Sequence, residues 1–278
     1  MKLTRKITWT AIILFSMSLI SPAGAVPTTL VDNYEGSDGH GYGDVIGSTS
    51  NFQTSSMDVS LSGNMLTVSI LTTFAGKADN HLFDSLTGGK GIGYGDLFLG
   101  SSWTPYGTSP YTGDDTYTGT TWTYGFSLDD RWMSEGTSGT GTLYSLNNAV
   151  FDNDTGTNNN PDALLSEDFL TGGTYRDGQE VAVNVTEERI LNGDITAIAG
   201  SSSWSIDTPA SRVDFMIDLT GTDLLLGDEI ALHWGFTCAN DVIEGAYPVP
   251  EPGILALLSI GLFGFIGASK FRKQHTGK

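Results

Sequence analysis

The side chains best suited to chemistry in this 278-residue chain are its carboxylates and aromatics, and they concentrate between Trp103 and Trp132. Trp103, Tyr106, Tyr111, Tyr117, Trp122, Tyr124 and Trp132 are interleaved there with Gly, Thr and Ser and with Asp114, Asp115, Asp129 and Asp130. Aromatic faces stack on sugar rings while carboxylates accept hydrogen bonds from sugar hydroxyls, so Trp103, Tyr106, Tyr111 and Trp132 are candidate glycan contacts. The plainer alternative is that the tyrosines pack long loops, and alternation already places Trp122 and Tyr124 on a buried strand face. Glycan hydrolysis or elimination would need two facing carboxylates, and no spacing singles out such a pair.

Other constellations are weaker. Asp152-Asn153-Asp154, followed by Asp162, has the oxygen-rich spacing that suits Ca²⁺. An EF-hand loop starting at Asp152 would want an acid or amide at Gly156, Gly at Thr157 and a bidentate acid at Ala163. Solvated Asx-turns therefore compete with an irregular Ca²⁺ site at Asp152, Asp154 and Asp162. His40, His81 and His233 show no metal-ligand spacing, and His233-Trp234 sits in an apolar strand where a structural histidine is expected. Nucleophile-elbow, zinc-helix and phosphate-loop motifs do not occur, so the domain is expected to be non-enzymatic and to need no cofactor, apart from that Ca²⁺ alternative.

The clearest processing chemistry is done to the chain, at its ends. Lys2, Arg5 and Lys6 precede an apolar stretch from Ile7 to Ile20 and then Ala23-Gly24-Ala25. This is a secretory signal peptide over residues 1–25, cut by signal peptidase between Ala25 and Val26, with Ala23 and Ala25 as the small residues at the cut. At the other end, Val249-Pro250-Glu251-Pro252 leads into 17 uncharged residues from Gly253 to Ser269, stopped by Lys270, Arg272 and Lys273. At about 1.5 Å per residue this run just spans a hydrocarbon core. The basic end resists translocation, which leaves residues 274–278 in the cytoplasm and everything before the helix outside it. The two prolines fix φ and hold Val249 and Glu251 extended, a shape a protease can accommodate.

The order Val-Pro-Glu-Pro, apolar helix, basic end resembles the PEP-CTERM sorting signal. The resemblance covers residues 249–273 and implies transient membrane insertion, processing by an exosortase, and delivery through the inner membrane to the cell surface or extracellular matrix. The segments Gly95-Asp96-Leu97-Phe98-Leu99 and His233-Trp234 to Asp241 resemble the variable β-rich ectodomains that precede this signal, which implies a surface or matrix protein without assigning an activity.

Between the two addresses lies a domain of residues 26–248. Six basic residues against 31 acidic ones give it a formal charge of −25, which excludes nucleic-acid binding and favours neutral or cation-bridged partners such as exopolysaccharide. Cys238 is the only cysteine, so no internal disulfide can staple the domain. Apolar residues recur with period two, most clearly from Met57 to Phe74, where Gly63-Asn64 turns a hairpin. Further strands are expected at 96–99, 121–128, 142–146, 180–185, 203–206, 212–219 and 230–238. One short helix is expected from Pro161 to Leu170, with Asn160 as its cap. The expected fold is all-β, an antiparallel two-sheet sandwich of jelly-roll type. Gly41-Tyr42-Gly43-Asp44 recurs as Gly93-Tyr94-Gly95-Asp96, too briefly to imply a repeat.

Overall fold

The computed structural model describes residues 27–36, 41, 43–78, 91–115, 118–133, 138–147, 164–166, 176 and 178–249. The signal peptide, the Ca²⁺ candidates Asp152, Asp154 and Asp162, Pro250-Glu251-Pro252, the apolar run and Lys270, Arg272 and Lys273 lie outside these residues. Among the described residues no helix is long and apolar enough to cross a membrane.

The alternating stretch folds as expected into β2 (Thr54–Ser62) and β3 (Met65–Thr72), paired antiparallel across a turn in which Gly63 takes φ 61°, a left-handed value that glycine adopts without strain. Met57, Val59, Leu66, Val68 and Ile70 are fully buried on one face of this hairpin. The other expected strands are β4 (Leu97–Gly100), β5 (Tyr124–Leu128), β6 (Ser138–Leu146), β8 (Glu180–Val183), β10 (Ser203–Asp207), β11 (Arg212–Asp218) and β12 (Glu229–Gly235). Four strands have no counterpart among those expectations: β1 (Thr28–Val31), β7 (Leu164–Ser166), β9 (Ile195–Ala197) and β13 (Val242–Pro248).

The expected pair of sheets is instead one continuous antiparallel sheet in the order β1-β2-β3-β11-β10-β6-β5-β4-β12-β13, with β9 on β6. Strand β6 joins the two halves because its start pairs with β10 through Ser138–Thr140 and its end pairs with β9 through Tyr144–Leu146, while β5 runs along its other edge. The terminal strands β1 and β13 approach each other, so the sheet is nearly closed. A closed sheet needs no second sheet to cover its apolar face, and the faces meet around Trp204, Trp234, Phe126, Phe215, Phe236 and Phe74.

The expected helix from Pro161 to Leu170 is overturned at Leu164–Ser166, which forms β7 and pairs antiparallel with β8. Pairing with β8 replaces the local Asn-Pro helix signal. Strand β8 lies over the outer face of the main sheet, so β4, β12 and most of β13 are buried on both faces. A second apolar cluster of Phe98, Trp122, Leu146, Val183, Ile195 and Ala231 fills this outer layer, confirming Trp122 as a core residue. Gly125 makes the layer fit, because a Cβ there would stand 2.5 Å from Val183 Cγ2.

One helix that the periodicity did not announce is α2 (Glu187–Asn192), following the single helical turn α1 (Thr49–Phe52). Thr186 Oγ1 accepts from the Arg189 N–H, and Gly193 closes the helix at φ 76°. Thr186→Ala is expected to cost about 1 kcal/mol, read as a lowered midpoint in urea unfolding with an unchanged slope.

Candidate functional site

Cross-strand register, rather than sequence interval, assembles the polar chemistry of this domain. Tyr144 pairs with Gly125, Gly125 with Phe98, Phe98 with His233 and His233 with Glu244, so these five residues form one row on the outer face across β6, β5, β4, β12 and β13. His233 and Glu244 end this row beneath β8, 0% and 3% exposed respectively.

His233 Nε2 lies 2.8 Å from the Glu180 carbonyl oxygen, which can only accept, so Nε2 carries a proton. Nδ1 lies 2.9 Å from Glu244 Oε1, and Trp103 Nε1 donates to Glu244 Oε2 at 2.9 Å. Both imidazole nitrogens of His233 and both carboxyl oxygens of Glu244 therefore have a partner. Burial lowers the His233 pKa, but the hydrogen bond and charge of Glu244, with Glu180 behind them, outweigh it and leave the net value raised. The ring is held between Phe98 and Trp122, at centroid distances of 5.9 and 5.5 Å.

Around this pair, burial pushes the Glu180 carboxyl up to about 8 and Asp114 up to about 7, with the Glu244 charge adding to both. Tyr34 donates to Asp114 Oδ2 at 3.2 Å. Glu180, His233 and Glu244 each bring one ligating atom within 4.8 Å of the others, a spacing compatible with a metal ion. Both imidazole nitrogens already have partners, and through them His233 ties β12 to β13 and β8.

A second buried carboxylate is more plainly structural. Asp96 accepts from Leu128 N at 2.9 Å and Val183 N at 2.7 Å, and Arg131 Nη2 lies 3.0 Å from its Oδ1. Arg131 Nη1 also donates to the Tyr94 carbonyl. The sequence echo acquires a physical meaning here. Gly93-Tyr94-Gly95-Asp96 meets Arg131, and the matching Gly43-Asp44 carbonyls accept from Arg176 Nη2, so each copy is held by a buried arginine. Asp44 belongs in turn to a third acidic cluster with Asp32 and Asp241.

The aromatic candidates separate into two groups. Trp103 is half-buried, tied to Glu244 and packed against the Trp122 cluster, and Tyr111 lies edge-on to Trp103 and stacked on Tyr34. Glu244 thus draws the Trp103 indole inward. Tyr106 and Trp132 do face solvent, at 58% and 38% exposure. Cys238 is a buried thiol, as expected.

At the C-terminal edge, β13 ends at Pro248, and Val249 N donates to the Asp228 carbonyl at 2.9 Å, fastening the strand's exit to the turn before β12. Residues 248–273 match the family model of the PEP-CTERM protein-sorting motif. No curated protein and no solved structure matches the chain. The motif implies export and sorting to the cell surface by an exosortase. The chain carries the PEP-CTERM sorting signal, and its sheet ends where that signal begins.

Proposed function

We propose that this chain is a non-enzymatic surface or matrix protein, freed of its signal peptide by signal peptidase, passed through the inner membrane and processed by an exosortase, whose exposed aromatics meet exopolysaccharide. The observation that carries this proposal is the junction at Pro248: the sorting motif starts on the last residue of β13, so cleavage after it removes no strand of the domain. Tyr106 and Trp132 supply exposed rings on an acidic surface, and a partner for such a surface is neutral or bridged by cations. The test is retention on purified matrix polysaccharide. Tyr106→Ala and Trp132→Ala together are expected to cut retention about tenfold, the loss of one to two kcal/mol of stacking, while leaving the melting temperature unchanged. Retention equal to wild type would remove the glycan contact. Trp103 is unsuitable for this test because its indole also supports Glu244.

A glycan hydrolase or lyase is the second reading, and Glu180 with Glu244 is the observation that favours it. The two offer carboxylate oxygens within 4.8 Å of each other, with Trp103 and Trp122 nearby, and burial raises Glu180 as a general acid requires. Against it stand their exposures of 5% and 3%, which leave no room for a sugar at these carboxyls. Turnover of the host exopolysaccharide that disappears in both Glu180→Gln and Glu244→Gln would favour this reading over the first.

A further inference from the structure

Asp32 follows β1, Asp44 precedes α1, and Asp241 ends the connection between β12 and β13, yet each places a carboxylate oxygen within 4.8 Å of the others. Some of their oxygens are spoken for. Asp241 Oδ2 accepts from Thr54 N at 2.5 Å, Asp32 Oδ1 from Tyr34 N at 3.3 Å, and Asp44 Oδ2 from Gln53 Nε2 at 3.5 Å. Others are not. Among the described residues, Asp241 Oδ1 and Asp32 Oδ2 are buried with no hydrogen-bond partner, and so are two neutral oxygens of adjoining residues, Thr54 Oγ1 and Asn240 Oδ1. Asp241 and Thr54 are 0% exposed and Asn240 is 6% exposed, so water does not satisfy these atoms from outside.

Orphaned buried oxygens are costly, and like charges this close cannot all ionise without a counter-charge. Arg176 is the one cation beside them among the described residues. Its Nε donates to the Ala239 carbonyl and its Nη2 to those of Gly43 and Asp44, while its Nη1 has no hydrogen-bond partner among the described residues. Its single charge leaves two of the three carboxylates uncompensated. Burial raises both Asp32 and Asp241, with the Asp44 charge adding to the rise of Asp32 and the Asp32 and Asp44 charges to that of Asp241.

We propose that Asp32, Asp44 and Asp241 form a calcium-type cation site that fastens the β1 exit and the Asp44 loop to the β12–β13 connection. Hard carboxylate oxygens from three separate segments, with Asp241 buried and Asp32 and Asp44 half-buried, suit the flexible geometry of Ca²⁺; Mg²⁺ is smaller and demands a near-ideal octahedron. The site lies at the seam where β1 and β13 approach, so the ion would tie the seam of a sheet that has no disulfide to do so. It uses none of Asp152, Asp154 and Asp162.

The experiment uses the full-length chain in detergent, stripped with chelator and titrated with ⁴⁵Ca²⁺, alongside melting curves in Ca²⁺ and in Mg²⁺. One site is expected with Kd of about 10⁻⁴–10⁻³ M, the range of extracellular calcium modules, and 10 mM Ca²⁺ should raise Tm by about 2–10 °C, more than equal Mg²⁺. Asp44→Asn and Asp241→Asn should each abolish that site and the Ca²⁺-dependent rise. The variant carrying Asp152→Asn, Asp154→Asn and Asp162→Asn should keep both. If Asp241→Asn fails to fold, half-buried Asp44→Asn decides. Undiminished binding in Asp44→Asn, loss of all binding in the triple variant, an equal rise with Mg²⁺, or no binding at 10 mM would each overturn the proposal.

Discussion

Arg131→Ala is expected to destabilise the domain by about 3–5 kcal/mol, because it leaves Asp96 fully buried without its only ion-pair partner among the described residues. The carboxylate would keep the Leu128 and Val183 N–H donors, but two backbone hydrogen bonds do not replace a guanidinium within 3.0 Å. The loss should spread, since Asp96 joins the start of β4, the end of β5 and the end of β8. Arg131→Lys should fall between the two, keeping the charge but not the fork that reaches both Asp96 and the Tyr94 carbonyl. Urea unfolding at pH 7 measures both; a loss under about 1 kcal/mol for Arg131→Ala would show that the N–H donors alone hold Asp96.

Raising the pH from 5 to 8.5 is expected to lower stability by several kcal/mol in the absence of calcium. Glu180 and Asp32 are both raised to about 8 by burial, with neighbouring acids adding to the effect. In the unfolded chain such carboxyls lose their protons near pH 4, whereas in the folded chain they keep them until about pH 8. Folding therefore holds extra protons across that window, and stability falls as pH rises through it, by up to about 1.4 kcal/mol per pH unit for each group. His233 acts in the same direction. Its folded value is raised, so its contribution is complete below the ordinary imidazole range and fades as pH rises through the folded value. Glu180→Gln carries no titrating carboxyl, so its stability should depend less steeply on pH than wild type. Melting curves at half-unit steps measure this, and parallel profiles for the two proteins would show that Glu180 does not hold its proton in the fold.

Legibility in the sequence followed the range of the forces involved. The β2–β3 hairpin could be read because its alternation and its Gly63-Asn64 turn are local, whereas Trp122 is buried as expected but precedes β5 and packs in the outer cluster while Tyr124 lies in the main core. Strand β13 could not be read, since Glu244 and Gly245 break its apolar run, and what buries Glu244 is His233 across the register and Trp103 from a loop. Helix logic failed at Leu164–Ser166 because a strand 14 or more residues away offered its edge. The candidate sites show the same division. His233 was recognisable as a structural histidine from its apolar strand, but nothing in sequence links it to Glu180, nor Asp32 to Asp241. The repeated Gly-Tyr-Gly-Asp was visible but too brief to interpret, and what the copies share, an arginine held against the backbone of each, appears only in three dimensions.

On the function proposed above, this domain is carried to the surface by an address that is then removed. Intact-mass and peptide mass spectrometry of the surface or matrix fraction tests it most directly. The chain should begin near Val26 and lack everything after about Pro252, so that the sheet ending at Pro248 is retained whole and the apolar run is gone. Mature protein that still carries Gly253 to Ser269 and the basic end would contradict it.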